Sequence, residues 1–385
     1  LSMTAACIQV VCNSSSRPEI SIDRPVHAAR VFSGRSPDEV LRLLPLMFGV
    51  CGTAQAVSGA HAVRAALGNS PDVSLTAAHG ALVRFEVARE HLWRILLDWP
   101  RFTGYRPPAR ALETMKSLLP RARAALFDGD PFQLAPVVNH RRAELDAICD
   151  DLVATLEEDV LGAGLDDWLA IQSVESLLEY VGNREGAAPR LLALLLAKGW
   201  QGACRSTPEQ LPALAAAAIE GALANGSADR FVEAPDWAGI ARETSALTRQ
   251  RAHPLIQAVT AEYGVGLLAR ALAAVHELAA TPKAIAGILA GTDDPGIEAE
   301  RTAENTGVAQ VEAARGRLVH RVVCARDVVS DYRIVAPTEW NFHATGSVAE
   351  GLTGLPADGG DDVRLQADLF LTLMDPCVGW SLELH

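Results

Sequence analysis

Hydrophobic positions along this chain follow two periods in turn, and the change near residue 314 divides it. From about 74 to 290 apolar residues recur every three to four positions, the spacing of one face of a helix. The stretch RRAELDAICDDLVATLEEDV is the plainest case, with Leu145, Ile148, Leu152, Leu156 and Val160 on one stripe and carboxylates opposite. Breaks bearing proline or glycine fall at WPRFTGYRPP, GNREGAAP, EAPDWAG and GTDDPG. A further helix is expected around 296–313. Beyond it, RLVHRVVC and VVSDYRIVA alternate about a short polar turn, which predicts a β-hairpin. GLPADGGDD reads as a loop before a last apolar run ending at Met374.

Ahead of the helical body, ACIQVV predicts a short strand. GRSPDEVLRLL carries a helix start: Ser36 as N-cap, Pro37 in the first position and Glu39 closing a capping box. A second helix is predicted through QAVSGAHAVRAAL, with Gly68 at its end. No internal repeat is present. The 385 residues are read as a single domain, mainly α with a minor β portion: an N-terminal motif region (1–70), a helical body (74–313), and a β-hairpin with a C-terminal motif region (314–385).

Composition narrows the function. Hydrophobic residues make up 49% and aromatics only 5%, so the core is aliphatic and helical. A formal net charge of −13, with no basic run, opposes nucleic acid and anionic membrane surfaces as partners. No apolar stretch is read as reaching the roughly 18–20 residues that span a bilayer; LPALAAAAIEGALA is interrupted by Glu220. LSMTAACIQVV lacks the basic and long apolar regions of a secretory leader. Seven scattered cysteines do not suggest a disulfide framework, which favours a reduced, cytoplasmic setting. Phosphate loops and the GxSxG element are absent.

Two cysteines keep unusual company. Cys51 lies in a Gly-Val-Cys-Gly turn between two predicted helices, and Cys377 follows Pro376 in MDPCVGW. A thiol at a helix start faces backbone N–H groups that favour thiolate, and hence metal binding or reactivity; the ordinary alternative is a buried free thiol. Cys149 and Cys324 suit apolar faces of a helix and a strand, and Cys7 and Cys12 are too far apart for a CxxC pair. His91 reads as a histidine at the core edge, and His253 before Pro254 as the end of a segment.

The stretch GRSPDEVLRLLPLMFGVCGTAQAVSGAHAVRAALG resembles the nickel–iron hydrogenase large-subunit segment Gly-Arg-Asp-Pro followed by Arg-Ile-Cys-Gly-Val-Cys-Thr-x-x-His. VEAARGRLVH is similar to that family's Ala-Pro-Arg-Gly-x-Leu-x-His. VAPTEWN and MDPCVGW are similar to its Pro-Thr-Thr-Trp-Asn and its final Asp-Pro-Cys-x-x-Cys-x-x-His. The motifs fall in the family's order. PTEWNFH most resembles the form found in the family's degenerate relatives, the hydrogenase expression/formation proteins of the HupK type.

The resemblance implies a large-subunit-like helical bundle whose two chain ends converge. In the family four cysteines hold nickel and an iron that carries two cyanides and one carbon monoxide. Cys51 matches an N-terminal bridging position and Cys377 the C-terminal position that binds nickel only. Phe48 and Trp380 stand where the other two cysteines belong, and neither side chain ligates a metal, so nickel is not expected. Arg315 and Thr338 fill the positions whose donors face the cyanides. Gln55, Glu339, His343 and Trp380 are expected around them; Gln55 stands at the position of a family histidine. The family's proton-passing Arg-x-Glu-Gly-His segment has no counterpart, and Glu383 at the position of its last metal-binding histidine argues against a structural magnesium.

What this implies is a non-enzymatic maturation protein with no catalytic residue, a scaffold or chaperone that binds the Fe(CN)2(CO) unit through Cys51 and Cys377. Its partners would be hydrogenase maturation proteins or hydrogenase subunits. A metal-free large-subunit mimic that binds maturation partners is the alternative. Phe48 and Trp380 oppose a third reading, a variant hydrogenase with H2 activity.

Overall fold

A computed structural model describes residues 7–13, 16–69, 72–182, 184–356 and 360–385. LSMTAA, most of the stretch on which a leader was judged, lies outside the described residues, as do residues 357–359 of the expected GLPADGGDD loop.

Helix α1 (Pro37–Met47) starts as its sequence predicts: the Ser36 hydroxyl accepts from the Glu39 N–H, and the Glu39 carboxylate accepts from the Ser36 N–H at 2.9 Å. Helix α2 (Gly52–Ala66) follows and is buried along almost all of its length. Helix α3 (Val73–Trp93), capped by the Asp72 side chain, packs against α2 and along the Leu267–Ala290 helix. The stripe read at 145–160 is buried as predicted, although its helix Arg142–Thr155 widens into a π-turn at Leu156–Leu161.

The Leu267–Ala290 helix corrects one expectation. Its 24 residues are long and apolar enough to cross a membrane by length and composition. Buried Arg270, His276 and Glu277 interrupt it, and it threads through the protein interior as a core helix does.

Residues 296–313 correct another. They form not a helix but the hairpin β5 (Ile297–Ala303) and β6 (Thr306–Ala313), turning at Asn305 with φ +58°. Glu, Ala and Arg favour a helix in isolation, but β6 is buried on both faces, and tertiary packing overrides so weak a preference. The helical body therefore ends at Ala290. The expected second hairpin is present as β7 (Gly316–Ala325) and β8 (Val328–Val335), and the four strands make one antiparallel sheet in the order β5-β6-β7-β8.

Helix α2 covers one face of this sheet. On the other, Leu214, Ile219, Leu223 and Trp340 pack against Val308, Val319 and Val335. Glycine permits the close approach: a Cβ on Gly307 would lie 2.0 Å from the Ala62 carbonyl oxygen. A small pair, β3 (Phe127–Asp128) and β4 (Val137–Val138), sits beside the helices. The third sheet joins the chain ends. In it β1 (Cys7–Cys12) is antiparallel to β2 (Glu19–Asp23) and parallel to β9 (Gly379–Leu384), with Cys7 opposite both Asp23 and Gly379.

Between α2 and α3 lies a buried histidine pair. His79 donates through Nε2 to the Pro131 carbonyl at 2.8 Å, so its Nδ1 accepts from His61 Nε2 at 3.0 Å. Burial, with its partner histidine and Arg64 adding to it, lowers the His61 pKa to about 3. Burial lowers His79 to about 4 despite the Pro131 bond. Both rings are neutral when folded, whereas an unfolded histidine gains a proton near pH 6.5. The unfolded chain thus binds more protons on acidification, and stability is lost as pH falls below about 6.5.

Two outcomes follow for stability. Gly307→Ala is expected to lower it by about 1–3 kcal/mol in urea melts, because backbone rather than a side chain must move. Between pH 7 and pH 5 each histidine of the pair is expected to remove about 2 kcal/mol. His61→Gln, which keeps a donor toward His79, should flatten the pH dependence of the melting curve by about one histidine's share.

Candidate functional site

Cys51 is fixed by what holds the start of α2. Glu86, one turn before Glu90 on α3, reaches across and accepts from the Thr53 and Ala54 N–H groups at 2.8 and 2.9 Å. These are the unpaired amides that a helix N-terminus presents. Burial raises the Glu86 carboxyl above its usual range, although these bonds act against it. Because the amides are spent on Glu86, they do not stabilise a thiolate, contrary to the expectation from sequence. Burial first, then the nearness of Cys377 and Glu86, push the Cys51 thiol up to about 12 against the opposing pull of Arg315 and Gln55.

A hydrogen-bond chain runs to the same sulfur. Tyr332 donates to His320 Nδ1 at 2.8 Å, His320 Nε2 donates to the Gln55 carbonyl oxygen at 2.9 Å, and the Gln55 amide faces Cys51 Sγ at 3.7 Å. Burial lowers the His320 pKa to about 3, so the ring is neutral and the chain has one direction.

Cys377 arrives from the other end of the chain. The Gly360–Met374 helix stops at Asp375, whose φ of +49° is a left-handed turn that aspartate tolerates. Its carboxylate pairs with Arg94 and accepts from Arg315 Nη2 at 3.1 Å. Cys377 Sγ then receives Thr338 Oγ1 at 3.2 Å and Arg24 Nη1 at 2.7 Å. Arg24 Nη2 forms an ion pair with the buried Glu339 carboxylate. Thr338 and Glu339 lie in the first turn of the short Pro337–Asn341 helix. Asn341 ties that turn to two segments, donating to the Thr244 carbonyl at 2.8 Å and, in the loop before β7, to the Arg315 carbonyl at 3.1 Å.

Arg315 is buried between these parts. Its Nη2 donates to Glu90 at 3.0 Å as well as to Asp375, while Nε and Nη1 have no partner among the described residues. Burial works against its charge, but Asp375 and Glu90 outweigh burial and hold it as a cation.

A cavity of about 250 Å3 brings most of the expected residues together. Cys51, Cys377, Arg315, Thr338, Gln55 and Glu339 line it, with Val50, Ala314, Leu318 and Val378 as apolar wall. It exceeds by far the ~10–15 Å3 that admits one water. Phe48 lines it as well, so the phenyl ring borders the site where the missing cysteine belongs.

Two expected residues lie elsewhere. The His343 ring bonds to Thr345, at 3.2 Å from its N–H and 3.0 Å from its hydroxyl, and does not line the cavity. Trp380 stands opposite Ile8 in β9; its indole N–H reaches Asp368 at 3.3 Å and its ring carries Arg101 at 5.5 Å. It does not line the cavity beside Arg315 and Thr338. Among the described residues no group of three or more His, Cys, Asp or Glu converges as a metal cage.

Sequence reasoning missed Arg24, Glu86 and Glu90. Glu86 and Glu90 had a signal, two acids one turn apart inside the apolar run of LTAAHGALVRFEVAREHL. Arg24, in SIDRPV, had none, since its place depends on β2 lying in the same sheet as β9.

No family model matches the chain. It is 31% identical to the hydrogenase expression/formation protein HoxV of Cupriavidus necator, over 95% of this chain and 92% of that one. It is 28% identical to the hydrogenase expression/formation protein HupK of Azotobacter vinelandii, over 94% and 93%. Among solved structures, the H2-activated Ni-Fe-Se hydrogenase of Desulfomicrobium baculatum superposes with a TM-score of 0.61 at 15% identity, covering 94% of each chain. The fold is that of the hydrogenase large subunit, mainly α with a minor β portion, as expected.

Glu86→Ala would leave two buried amides without an acceptor. It is expected to cost about 2–4 kcal/mol in urea denaturation, and Glu86→Gln, which keeps one acceptor, less than half of that.

Proposed function

The chain belongs to the hydrogenase expression/formation proteins, and from that membership we propose that it is a scaffold in nickel–iron hydrogenase maturation, receiving or holding the Fe(CN)2(CO) unit. One observation carries the reading. Arg315 keeps two buried nitrogens, Nε and Nη1, unpartnered among the described residues at a cavity that Cys51 and Cys377 also line. Leaving such donors unpaired costs about 1–3 kcal/mol each, a cost that an acceptor in the cavity would offset. Cyanide is an acceptor of that kind, and the guanidinium supplies charge-assisted donors in a fixed plane.

In this reading the two sulfurs bind iron, giving up their protons as thiols do on metal binding. Arg315 and the Thr338 hydroxyl face the cyanides, and the apolar wall excludes water from the rest of the unit. Turnover of H2 is not part of the proposal, because Phe48 and Trp380 replace two of the four sulfurs of a nickel–iron cage. The partners are maturation proteins or hydrogenase subunits, and the setting is the cytoplasm.

Infrared spectroscopy and metal analysis on protein purified anaerobically from hydrogenase-producing cells form the test. Cyanide and carbon monoxide stretches with iron and without nickel are expected. Cys51→Ser and Cys377→Ser should each lose the bands, retain less than about a tenth of the iron, and stop maturation in the same cells, since a lone thiolate holds the unit poorly. If both single variants mature the hydrogenase normally, the scaffold reading is wrong. Absent bands with maturation intact would instead indicate a metal-free mimic of the large subunit.

A further inference from the structure

We propose that Arg24 is a fixed cation occupying the place where the fold family's nickel would sit against Cys377, and that it bars a second metal from the cavity. The inference rests on the scaffold reading for its purpose, but its chemistry is a property of the metal-free protein.

The sheet of the chain ends places the residue. Asp23 closes β2 opposite Cys7, and Cys7 stands opposite Gly379 in β9. Arg24 is the next residue after Asp23, and Cys377 comes two before Gly379, so both fall at the same end of that sheet. The guanidinium spans two donors of the cavity, Cys377 Sγ at 2.7 Å from Nη1 and the Glu339 carboxylate at Nη2. A sulfur and a carboxylate converging on one point describe a cation site. A side chain that stays charged at any working pH already occupies it.

The neighbouring positions agree. By resemblance Cys377 matches the cysteine that binds nickel alone, and Phe48, at the other such position, lines the cavity with a ring that cannot ligate. A bare divalent ion seeking Cys377 must displace an ion pair whose carboxylate is only 2% exposed, and it meets a like charge at contact distance, a repulsion that two cyanide charges would offset for the iron unit. Among the described residues Arg24 makes no hydrogen bond to Cys51, and its contacts fall on Cys377 and Glu339. The nickel side is thus closed in two ways, by loss of a ligand and by a built-in cation.

The test titrates Ni2+ and Zn2+ alone into purified, reduced, metal-free protein. Arg24→Gln is expected to bind either ion at least about tenfold more tightly than the parent, once the like charge is gone. With Ni2+ it should show sulfur-to-nickel charge-transfer absorption that Cys377→Ser in the same background removes. Arg24→Lys, which keeps the charge, should bind no better than the parent. Arg24→Gln leaves Glu339 buried and unpaired, so an Arg24→Gln/Glu339→Gln double variant guards against misfolding and should keep a smaller gain through sulfur. A parent that binds Ni2+ as tightly as Arg24→Gln would overturn the proposal. So would a natively folded double variant with no gain, or an Arg24→Lys variant that gains as much as Arg24→Gln. Infrared bands from the iron unit are independent of this titration, so either idea can fail without the other.

Discussion

A buried guanidinium must be paired, and Arg315 is the one around which this site is arranged. Its side chain is 3% exposed, and its two carboxylates come from distant parts of the chain, Glu90 on α3 and Asp375 at the turn before Cys377. Removing either partner of such a pair costs about 3–5 kcal/mol, so the three segments hold one another in register. The Asp375 backbone adopts a left-handed turn to make the contact, and that turn sets the direction in which Cys377 leaves the preceding helix. Only part of the guanidinium makes these bonds: Nε and Nη1 have no partner among the described residues, and Arg315 lines the cavity. On the scaffold proposal, stability and ligand binding would draw on one side chain, each through its own atoms.

Around that pair the fold solves a topological problem. The two sulfurs are 326 positions apart by their numbers, 377 − 51, and both residues line the cavity. Parallel pairing of β1 with β9 brings the chain ends together, and the capping box at Ser36 starts the helix that leads to Cys51. Helix α2, sealed between sheet and helices by small residues, then holds its first turn where Glu86 can reach it. The close approach at Gly307 keeps α2 against β6.

What was legible in the sequence was what local chemistry decides. The capping box, the β7–β8 hairpin and the long helical stripe at 145–160 follow from spacing and turn residues alone. The stretch 296–313 carries residues that prefer helix, and only the sheet and the helices that pack on it reverse that preference. Cys51, Cys377, Arg315 and Thr338 were found by motif, and the cavity gathers all four. Strand direction decides which way Trp380 points, and a sequence motif does not contain that information. Arg24 was invisible for a related reason: no local pattern says that an arginine beside a proline will meet a cysteine 353 positions later.

The cavity departs from a four-sulfur cage in a way that charge makes intelligible. Each thiolate carries one negative charge, so the loss of two thiolates at the positions of Phe48 and Trp380 removes the charge that one divalent ion would balance. A site so reduced lacks the ligands and the charge of a two-metal cage. Arg24 adds a positive group that cannot leave by ligand exchange, placed on the Cys377 sulfur. Its pairing with Glu339 keeps that charge from being an uncompensated burden on the fold. On the scaffold proposal, a large-subunit fold would hold one metal because a side chain stands in for the second, and Arg24 on Cys377 carries the charge for that part.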